Sequence, residues 1–382
     1  MCIVVLTTAH PKYPLIVIDN RDEFLLRPTS RPHWWSTRAS RHPSRTPTPD
    51  VSSQANGHAN GSLPDEGEVQ HILSARDLQR AEKGTWLGIT RSGHFAVLTN
   101  YRELDPDRLC QPVSGDKSRG AMVTSWLGNS AEDSVRGFVE AMMADGGCQG
   151  YGGFSLLCGK LRKRAGSDGG GEDGLEPLAI LSNRAEHPDQ IPWIAGKRGE
   201  TVGLSNSAFD DPVEWPKVKS GKALLEQVVA EAVEKDMSEE ELQERLFWIL
   251  DHDTLPTSPE KGLEEHLELL KESIFIPAIG DPKHRDDMAR AAANGKAGAQ
   301  TNGQVPDAAV ASVSVTERPD PQTQGFATGM YGTQRQTLIL VDWDGNVTYT
   351  ERALWDANGN AVERGNGDLT FKFTIDGWDE AN

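Results

Sequence analysis

The sequence is short of three things, and each shortage narrows what the protein can be. It has only four cysteines, Cys2, Cys110, Cys148 and Cys158. None stands in a Cys-x-x-Cys pair and the set is too sparse for a dense disulfide framework, so a reducing compartment is the simpler expectation. No apolar run approaches the roughly 20 residues that a membrane span requires. The chain start has no basic segment, and Thr7, Thr8 and His10 interrupt its apolar residues, which is unlike a secretory signal. Positive charge is scarce as well: 39 basic against 57 acidic side chains give a formal charge of −18. Such a surface repels a nucleic-acid backbone and an anionic membrane, so neither is expected as the main partner. These absences together point to a cytoplasmic protein, with Golgi or mitochondrial association left open.

What the chain has in quantity is loop. Glycine occurs 38 times and the mean hydropathy is −0.52, so a core of about 270 residues carrying insertions is expected. Residues 36–70 are rich in Ser, Pro, Arg, Asn and Gly, and residues 280–321 turn to Ala, Gly, Asn and Pro with scattered charge. Neither stretch can bury enough surface to offset its ordering entropy, and both are expected to be disordered. The rest reads as a single domain over 1–382.

Apolar and β-branched runs predict strands over 2–7, 14–19, 84–89, 94–101, 152–158, 177–184, 201–206, 338–342 and 347–352. Helices are predicted from Ala121 to Leu127 and, behind a capping signal at Ser130-Ala131-Glu132-Asp133, as far as Met143. Two longer amphipathic helices follow. One carries Leu224, Leu225, Val228, Val229, Ala232 and Val233, and the other opens at Ser238 with Glu241 completing a capping box.

The chemistry gathers at the chain start. An initiator Met1 ahead of a residue as small as Cys2 is usually removed, which leaves Cys2 with a thiol and a free α-amine. That amine has an intrinsic pKa of about 7.7–8.0, so near neutrality it can take the thiol proton and later return one to a leaving group. A hairpin from the first strand into the second would bring Arg21 and Asp22 beside Cys2. A second reading stands next to this one: a small buried hydrophobe for Cys2 and a solvated turn or ion pair for Arg21 and Asp22. Asn100 and Asn206 each close a strand, where a side-chain amide can donate to an oxyanion or cap an Asx-turn. Arg335 sits where the strand of the last hairpin begins, and Asp344-Gly345-Asn346 makes its turn. Trp34, Trp35 and Trp86 are core residues or the wall of an acyl pocket.

Met1-Cys2-Ile3, Asn20-Arg21-Asp22-Glu23, Gly84-Thr85-Trp86-Leu87-Gly88, Leu98-Thr99-Asn100-Tyr101, Ser182-Asn183-Arg184, Gly203-Leu204-Ser205-Asn206 and the block from Tyr331 to Arg352 occur in this order. Together they resemble the NRDE family, the transport and Golgi organisation protein 2 family. That family is similar to the N-terminal nucleophile (Ntn) hydrolases, in the cysteine branch that holds choloylglycine hydrolases and penicillin V acylases. The resemblance implies an α+β fold, a four-layer αββα sandwich that is Ntn-hydrolase-like, with two antiparallel sheets flanked by helices. It implies Cys2 as the N-terminal cysteine nucleophile, Arg21 as support for the thiolate and Asp22 as holder of the α-amine. It further implies Asn206 and Asn100 as oxyanion partners and Arg335 as a distal arginine. Glu82-Lys83 before Gly84, and Gln334 between Thr333 and Arg335, depart from the common family pattern.

Three functions fit the resemblance. The first is hydrolysis of a non-peptide amide or a thioester. The second is carriage of a hydrophobic or acyl small molecule, haem or acyl-CoA, in haem trafficking or lipid metabolism, with no other cofactor. The third is an interaction role in Golgi organisation and protein secretion, with a vestigial cleft.

Overall fold

The computed structural model describes residues 2–38, 68–101, 104–105, 108–112, 117–130, 134–144, 148, 151–164, 174–256, 263–299 and 329–379. The chain opens with β1 (Ile3–Thr7), β2 (Leu15–Phe24), β3 (His33–Arg38), β4 (Val69–Ser74), β5 (Leu87–Thr90) and β6 (His94–Asn100). Two short strands, β7 (Leu104–Asp105) and β8 (Arg108–Pro112), lead to helices α1 (Arg119–Leu127) and α2 (Val135–Ala144). Then come β9 (Phe154–Lys160), β10 (Lys163–Arg164), β11 (Gly174–Leu175), β12 (Leu178–Ser182), β13 (Trp193–Ile194) and β14 (Thr201–Leu204). Helices α3 (Pro216–Glu234), α4 (Glu239–Leu250), α5 (Leu263–His266) and α6 (Pro282–Ala299) precede β15 (Tyr331–Val341), β16 (Asn346–Ala353) and β17 (Asp368–Thr374).

Six strands form one antiparallel sheet in the order β14-β1-β2-β15-β16-β17, and seven form a second in the order β13-β12-β9-β6-β5-β4-β3. Side chains alternate across a strand, so each sheet sorts its residues onto two faces. Val4, Leu6, Leu15, Val17, Ile339 and Val341 of the first sheet pack on Leu87, Ile89, Phe95, Val97, Leu157 and Ile180 of the second. Their alternate neighbours Ile3, Val5, Ile16, Ile18, Leu338 and Leu340 pack under Val218, Leu225, Val228, Leu246 and Leu250 of α3 and α4. On the far side, Ile72, Ala96, Leu98, Leu156 and Leu181 meet Val123, Trp126, Phe138 and Met142 of α1 and α2. The layers therefore run helices, sheet, sheet, helices, which is the αββα sandwich. Each fully buried Leu, Ile, Val or Phe contributes about 1.5–3 kcal/mol, so these three cores hold the layers together. Among the described residues no helix is long and apolar enough to cross a membrane.

Local signals placed some elements well. Ser238 Oγ accepts from the Glu241 amide at 3.2 Å while Glu241 Oε2 accepts from the Ser238 amide at 2.8 Å, the reciprocal cap that opens α4. The last hairpin turns at Gly345, whose φ of +76° suits a residue without a Cβ.

Other expectations are corrected. The second strand does not stop at Asp19: β2 runs to Phe24, because β15 stays paired to it as far as Phe24 and its charged residues find partners on either face. Of the expected disordered stretch 36–70, Ser36–Arg38 belong to β3 and Val69–Gln70 to β4, paired to each other. Within 280–321, residues 282–299 are helix α6. There Asp281 Oδ1 accepts from the His284 amide at 2.8 Å, Pro282 opens the helix and alanine propagates it. Met288 packs it against Leu25 and Met330. The remaining parts of both stretches, 39–67 and 300–321, lie outside the described residues, as do residues 131–133 of the expected α2 cap. Ser134 caps instead, its Oγ accepting from the Gly137 amide at 3.0 Å.

Candidate active site

Strand β2 distributes the run Asn20-Arg21-Asp22-Glu23 over two faces. Asn20 and Asp22 point to the helix layer. Asn20 Nδ2 donates to the carbonyls of Leu250 at 2.8 Å and Ile274 at 3.0 Å, tying the strand to the end of α4. Asp22 Oδ1 accepts from Thr333 Oγ1 at 2.7 Å, and Thr333 Oγ1 in turn accepts from the Ile276 amide at 2.9 Å. Asp19, Arg21 and Glu23 take the opposite parity, toward the second sheet. The Arg21 guanidinium lies 4.1 Å from the Trp86 ring centroid, donates to Gln334 Oε1 and stands 3.7 Å from Glu23. A buried cation is tolerated when it is paired and stacked in this way.

Gln334 explains how the sequence departs from the family pattern without losing register. The β2–β15 ladder shifts between Thr333 and Arg335, a bulge that takes up one residue. Gln334 Nε2 donates to the Leu25 carbonyl at 3.0 Å, so the extra residue becomes a bracket for Arg21. Arg335 is then directly opposite Arg21. It lies inside β15 and not at its start, as the sequence had led us to expect. Arg335 Nη1 donates to the carbonyls of Gln334 at 3.0 Å and Trp355 at 2.7 Å. Its Nε is 3.7 Å from Glu351, which also pairs with Arg31 at 2.8 Å.

Cys2 immediately precedes β1 and shares the parity of Val4 and Leu6. It is half-buried; its Sγ donates to the Asp22 carbonyl at 3.6 Å, and its own carbonyl accepts from Ser205 Oγ at 2.7 Å. Desolvation, with Asp22 and Asp19 adding to it, pushes the thiol up to about 11. Ahead of any maturation the sulfur is therefore a protonated thiol at neutral pH. Asn206 lies just beyond β14 and Asn100 ends β6. They meet through Asn206 Nδ2 donating to the Asn100 carbonyl, which commits the Asn206 amide to a main-chain acceptor. Cys2 and Asp22 thus meet at the start of β1 and near the end of β2, Asn100 and Asn206 meet where β6 and β14 end, and Arg335 stands opposite Arg21 within β15.

The tryptophans separate. Trp34 packs edge-on against Phe373 with ring centroids 5.0 Å apart. Trp35 is buried with its Nε1 donating to Ser74 Oγ at 2.9 Å. Both are core, and Trp86 alone of the three stands beside Arg21. A groove of about 380 Å³ opens elsewhere, lined by Tyr13, Glu239, Thr348, Lys372 and Thr374 among others, and no predicted site residue lines it.

Three groups in the cluster escaped the sequence reading. Asp19 is 3% exposed. Desolvation pushes its carboxyl up to about 8, Asp22 and Glu351 push the same way, and Arg21 opposes. Glu351 is also raised by burial, against Arg335 and Arg31. Lys217, at the head of α3, is fully buried; desolvation lowers its pKa, while Asp22 and Cys2 act to raise it. A signal for Lys217 was present, since it continues the buried helical stripe of Gly221, Leu225 and Val228.

The layers define the class: an αββα sandwich whose first strand directly follows a thiol. The chain belongs to the Transport and Golgi organisation 2 family, whose model matches residues 1–42 and 63–356. It is 27% identical over 369 residues to the Transport and Golgi organization protein 2 homolog of Homo sapiens, covering 95% of this chain and 93% of that one. The Mus musculus homolog is 25% identical over 371 residues, with coverage of 95% and 93%. Among solved structures, penicillin V acylase from Agrobacterium tumefaciens aligns over 98% of this chain and 86% of its own, at 13% identity and a TM-score of 0.33. A mutant conjugated bile acid hydrolase from Clostridium perfringens aligns over 100% and 99%, at 10% identity and a TM-score of 0.32. At those scores the likenesses carry no weight, and the layer order rests on the packing of the three cores.

Proposed function

We propose that this protein is an N-terminal cysteine hydrolase acting on a non-peptide amide or thioester with a hydrophobic acyl part. The observation that supports it is the placement of Cys2 against Asp22, with the Asp22 carboxylate fixed by Thr333 and the Arg21 guanidinium buried beside Trp86. Removal of Met1 would expose an α-amine, with Asp22 as its carboxylate partner. The amine takes the thiol proton, and the positive charge of Arg21 favours the thiolate. The thiolate attacks the acyl carbonyl, forming a C–S bond and an oxyanion. Asn206 and Asn100 are the candidate donors to it, each typically worth ~10²–10³ in rate. For this the Asn206 amide must leave the Asn100 carbonyl. Collapse of the intermediate breaks the C–N or C–S bond of the substrate, and the ammonium returns its proton to the leaving group. Water then hydrolyses the acyl-enzyme thioester, freeing the acid and the thiol.

In this reading the high thiol pKa of the full chain marks a latent precursor, and maturation is the activating step. The relatives' name ties them to transport and Golgi organisation, and acyl or haem homeostasis is where such a reaction would act. The test is an intact mass of the purified protein followed by a panel of acyl amides and acyl thioesters. Loss of Met1, turnover, and abolition of turnover by Cys2→Ala in a chain that still melts cooperatively are the expected results. Retained Met1, or turnover untouched by Cys2→Ala, overturns it. Saturable haem or acyl-CoA binding without turnover makes the protein a carrier instead.

A further inference from the structure

The motif Ser182-Asn183-Arg184 has no part in the reaction just described, yet all three of its side chains converge on one ring. Tyr101 follows Asn100 and is 6% exposed. Its hydroxyl lies 3.0 Å from Ser182 Oγ and donates to Asn183 Oδ1 at 2.6 Å. The Arg184 guanidinium stands 5.3 Å from the centre of its ring. Asn183 Oδ1 also accepts from the Phe154 amide at 3.2 Å, and Phe154 is the residue opposite Asn100 in the pairing of β6 with β9. Gly153 leaves the ring its place, since a Cβ there would lie 2.5 Å from Tyr101 Cδ2. The same arginine reaches the other sheet. Arg184 Nη1 pairs with Asp211 Oδ1 at 2.7 Å, and Asp211 Oδ2 accepts from the Ala208 amide at 3.0 Å. Between Asn206 and Ala208, the Ser207 carbonyl accepts from Ser155 Oγ of β9 at 3.3 Å. These contacts close a circuit that runs from Asn100 through Tyr101, Arg184, Asp211 and Ala208 to Asn206, and through the Asn206 amide back to Asn100.

We propose that Ser182-Asn183-Arg184 is the positioning element of the oxyanion pair, with the ion pair of Arg184 and Asp211 holding the main chain of Asn206 against that of Asn100. The assignment rests on the hydrolase reading above. An oxyanion donor acts only where its N–H is already aimed at the place the charge will develop, and a small misplacement is costly in rate. Asn100 ends a strand of one sheet and Asn206 follows a strand of the other, so the pair needs a tie that crosses between sheets. Arg184 supplies it, stacked on Tyr101 at one end and joined to Asp211 at the other. The Asn206 side chain can still turn. Its Nδ2 donates to the Asn100 carbonyl, and its Oδ1 has no hydrogen-bond partner among the described residues, so the amide swings toward substrate without unfastening the loop. The Arg184 and Asp211 side chains are 41% and 28% exposed. A pair this open adds little to global stability, and its effect falls on rate.

The experiment uses mature protein and separates binding from chemistry. A fatty-acyl p-nitroanilide and the matching N-acetylcysteamine thioester report kcat and KM. The matching fatty aldehyde reports the oxyanion: the Cys2 thiolate adds to its carbonyl carbon, the π pair moves to oxygen, and that oxygen takes the oxyanion position. Arg184→Ala should lower kcat about tenfold, because the ion pair and the stacking are each worth a few-fold. Aldehyde affinity should fall by the same factor, while KM and the cooperative melt hold. Arg184→Lys keeps a contact to Asp211 and should recover part of the loss. Asp211→Asn retains an oxygen for the Ala208 amide and should match Arg184→Ala, and the double variant should be no worse than either alone. Should Arg184→Ala lose its cooperative melt, Arg184→Gln takes its place with the same expectation. Parent values of kcat and aldehyde affinity, a change confined to KM, or a loss that Arg184→Lys leaves in full overturns the assignment and leaves the hydrolase reading standing. No turnover of either substrate, or turnover untouched by Cys2→Ala, overturns the hydrolase reading and the assignment with it.

Discussion

Replacing Asp19 with asparagine should stabilise the protein in mildly alkaline solution and do little in acid. Asp19 sits on β2 between Val4 of β1 and Thr337 of β15, and its Oδ2 has no hydrogen-bond partner among the described residues. Desolvation first, then the Asp22 and Glu351 carboxyls, lift its pKa from 3.8 to about 8 against the pull of Arg21. In the unfolded chain the group ionises near 3.9. Between about pH 4 and pH 8 the folded chain therefore holds a proton that the unfolded chain has released, and stability falls as pH rises through that window. At about 1.36 kcal/mol per pH unit, the ceiling on the loss is about 6 kcal/mol. An effective dielectric nearer 20 than 4 at buried sites leaves about 2–3 kcal/mol of it. Asparagine keeps the shape of the neutral acid and cannot ionise. Urea unfolding followed by tryptophan fluorescence, from about pH 5 to about pH 9, should show parent and variant separating steadily toward alkali. A gap that is constant with pH, or one that widens toward acid, would refute the reasoning.

Thr333→Val removes the donor to Asp22 Oδ1 and the acceptor for the Ile276 amide. It should cost about 2–4 kcal/mol in the same unfolding assay, because two buried groups each lose a hydrogen bond. Met288→Ala cuts the contact of α6 with Leu25 and Met330. A loss of about 2 kcal/mol and faster amide hydrogen exchange over 282–293 are expected, measured by mass spectrometry. In protein that retains Met1, iodoacetamide should modify Cys2 slowly at pH 8 and faster as pH rises toward about 11. Buried Cys148, its thiol also pushed up to about 11, should stay unmodified at pH 8 in peptide maps.

The sequence made the layered fold legible where a signal was local or repeated. The Ser238 and Glu241 cap, the glycine turn of the last hairpin and the apolar, β-branched runs of β1, β15 and β16 each follow from residues close together in the chain. The six candidate residues were named through an ordered set of motifs along the chain. Arg21 and Asp22 were read as lying beyond the second strand because four polar residues in a row do not read as buried strand. What buries them comes from Trp86, Thr333 and Gln334, the last two about 310 residues away, and no local pattern records that. Helix α6 was hidden because its alanines were grouped with glycine, asparagine and proline as loop composition and its Asp281-Pro282 start went unread. Lys217 was hidden by its residue type, since a lysine on a helix is ordinarily read as solvated whatever stripe it falls on. Trp34 and Trp35 were left between wall and core, and packing in two different layers assigns both to core.

The two-faced arrangement of β2 makes length, more than composition, the vulnerable property of the segment that joins β1 to β2. A substitution between Thr8 and Pro14 alters one contact. A single-residue deletion there, if β2 slid to keep its pairing, would turn every side chain of the strand through the sheet. Arg21 and Glu23 would be driven under α3, while Asn20 and Asp22 would face Trp86, and the apolar halves of both cores would be exchanged with them. The spacing from Cys2 to Asn20 is thus a coded quantity in its own right. Among natural variants of this chain, frame-preserving losses or gains of one codon in 8–14 should be far rarer than missense changes at the same positions.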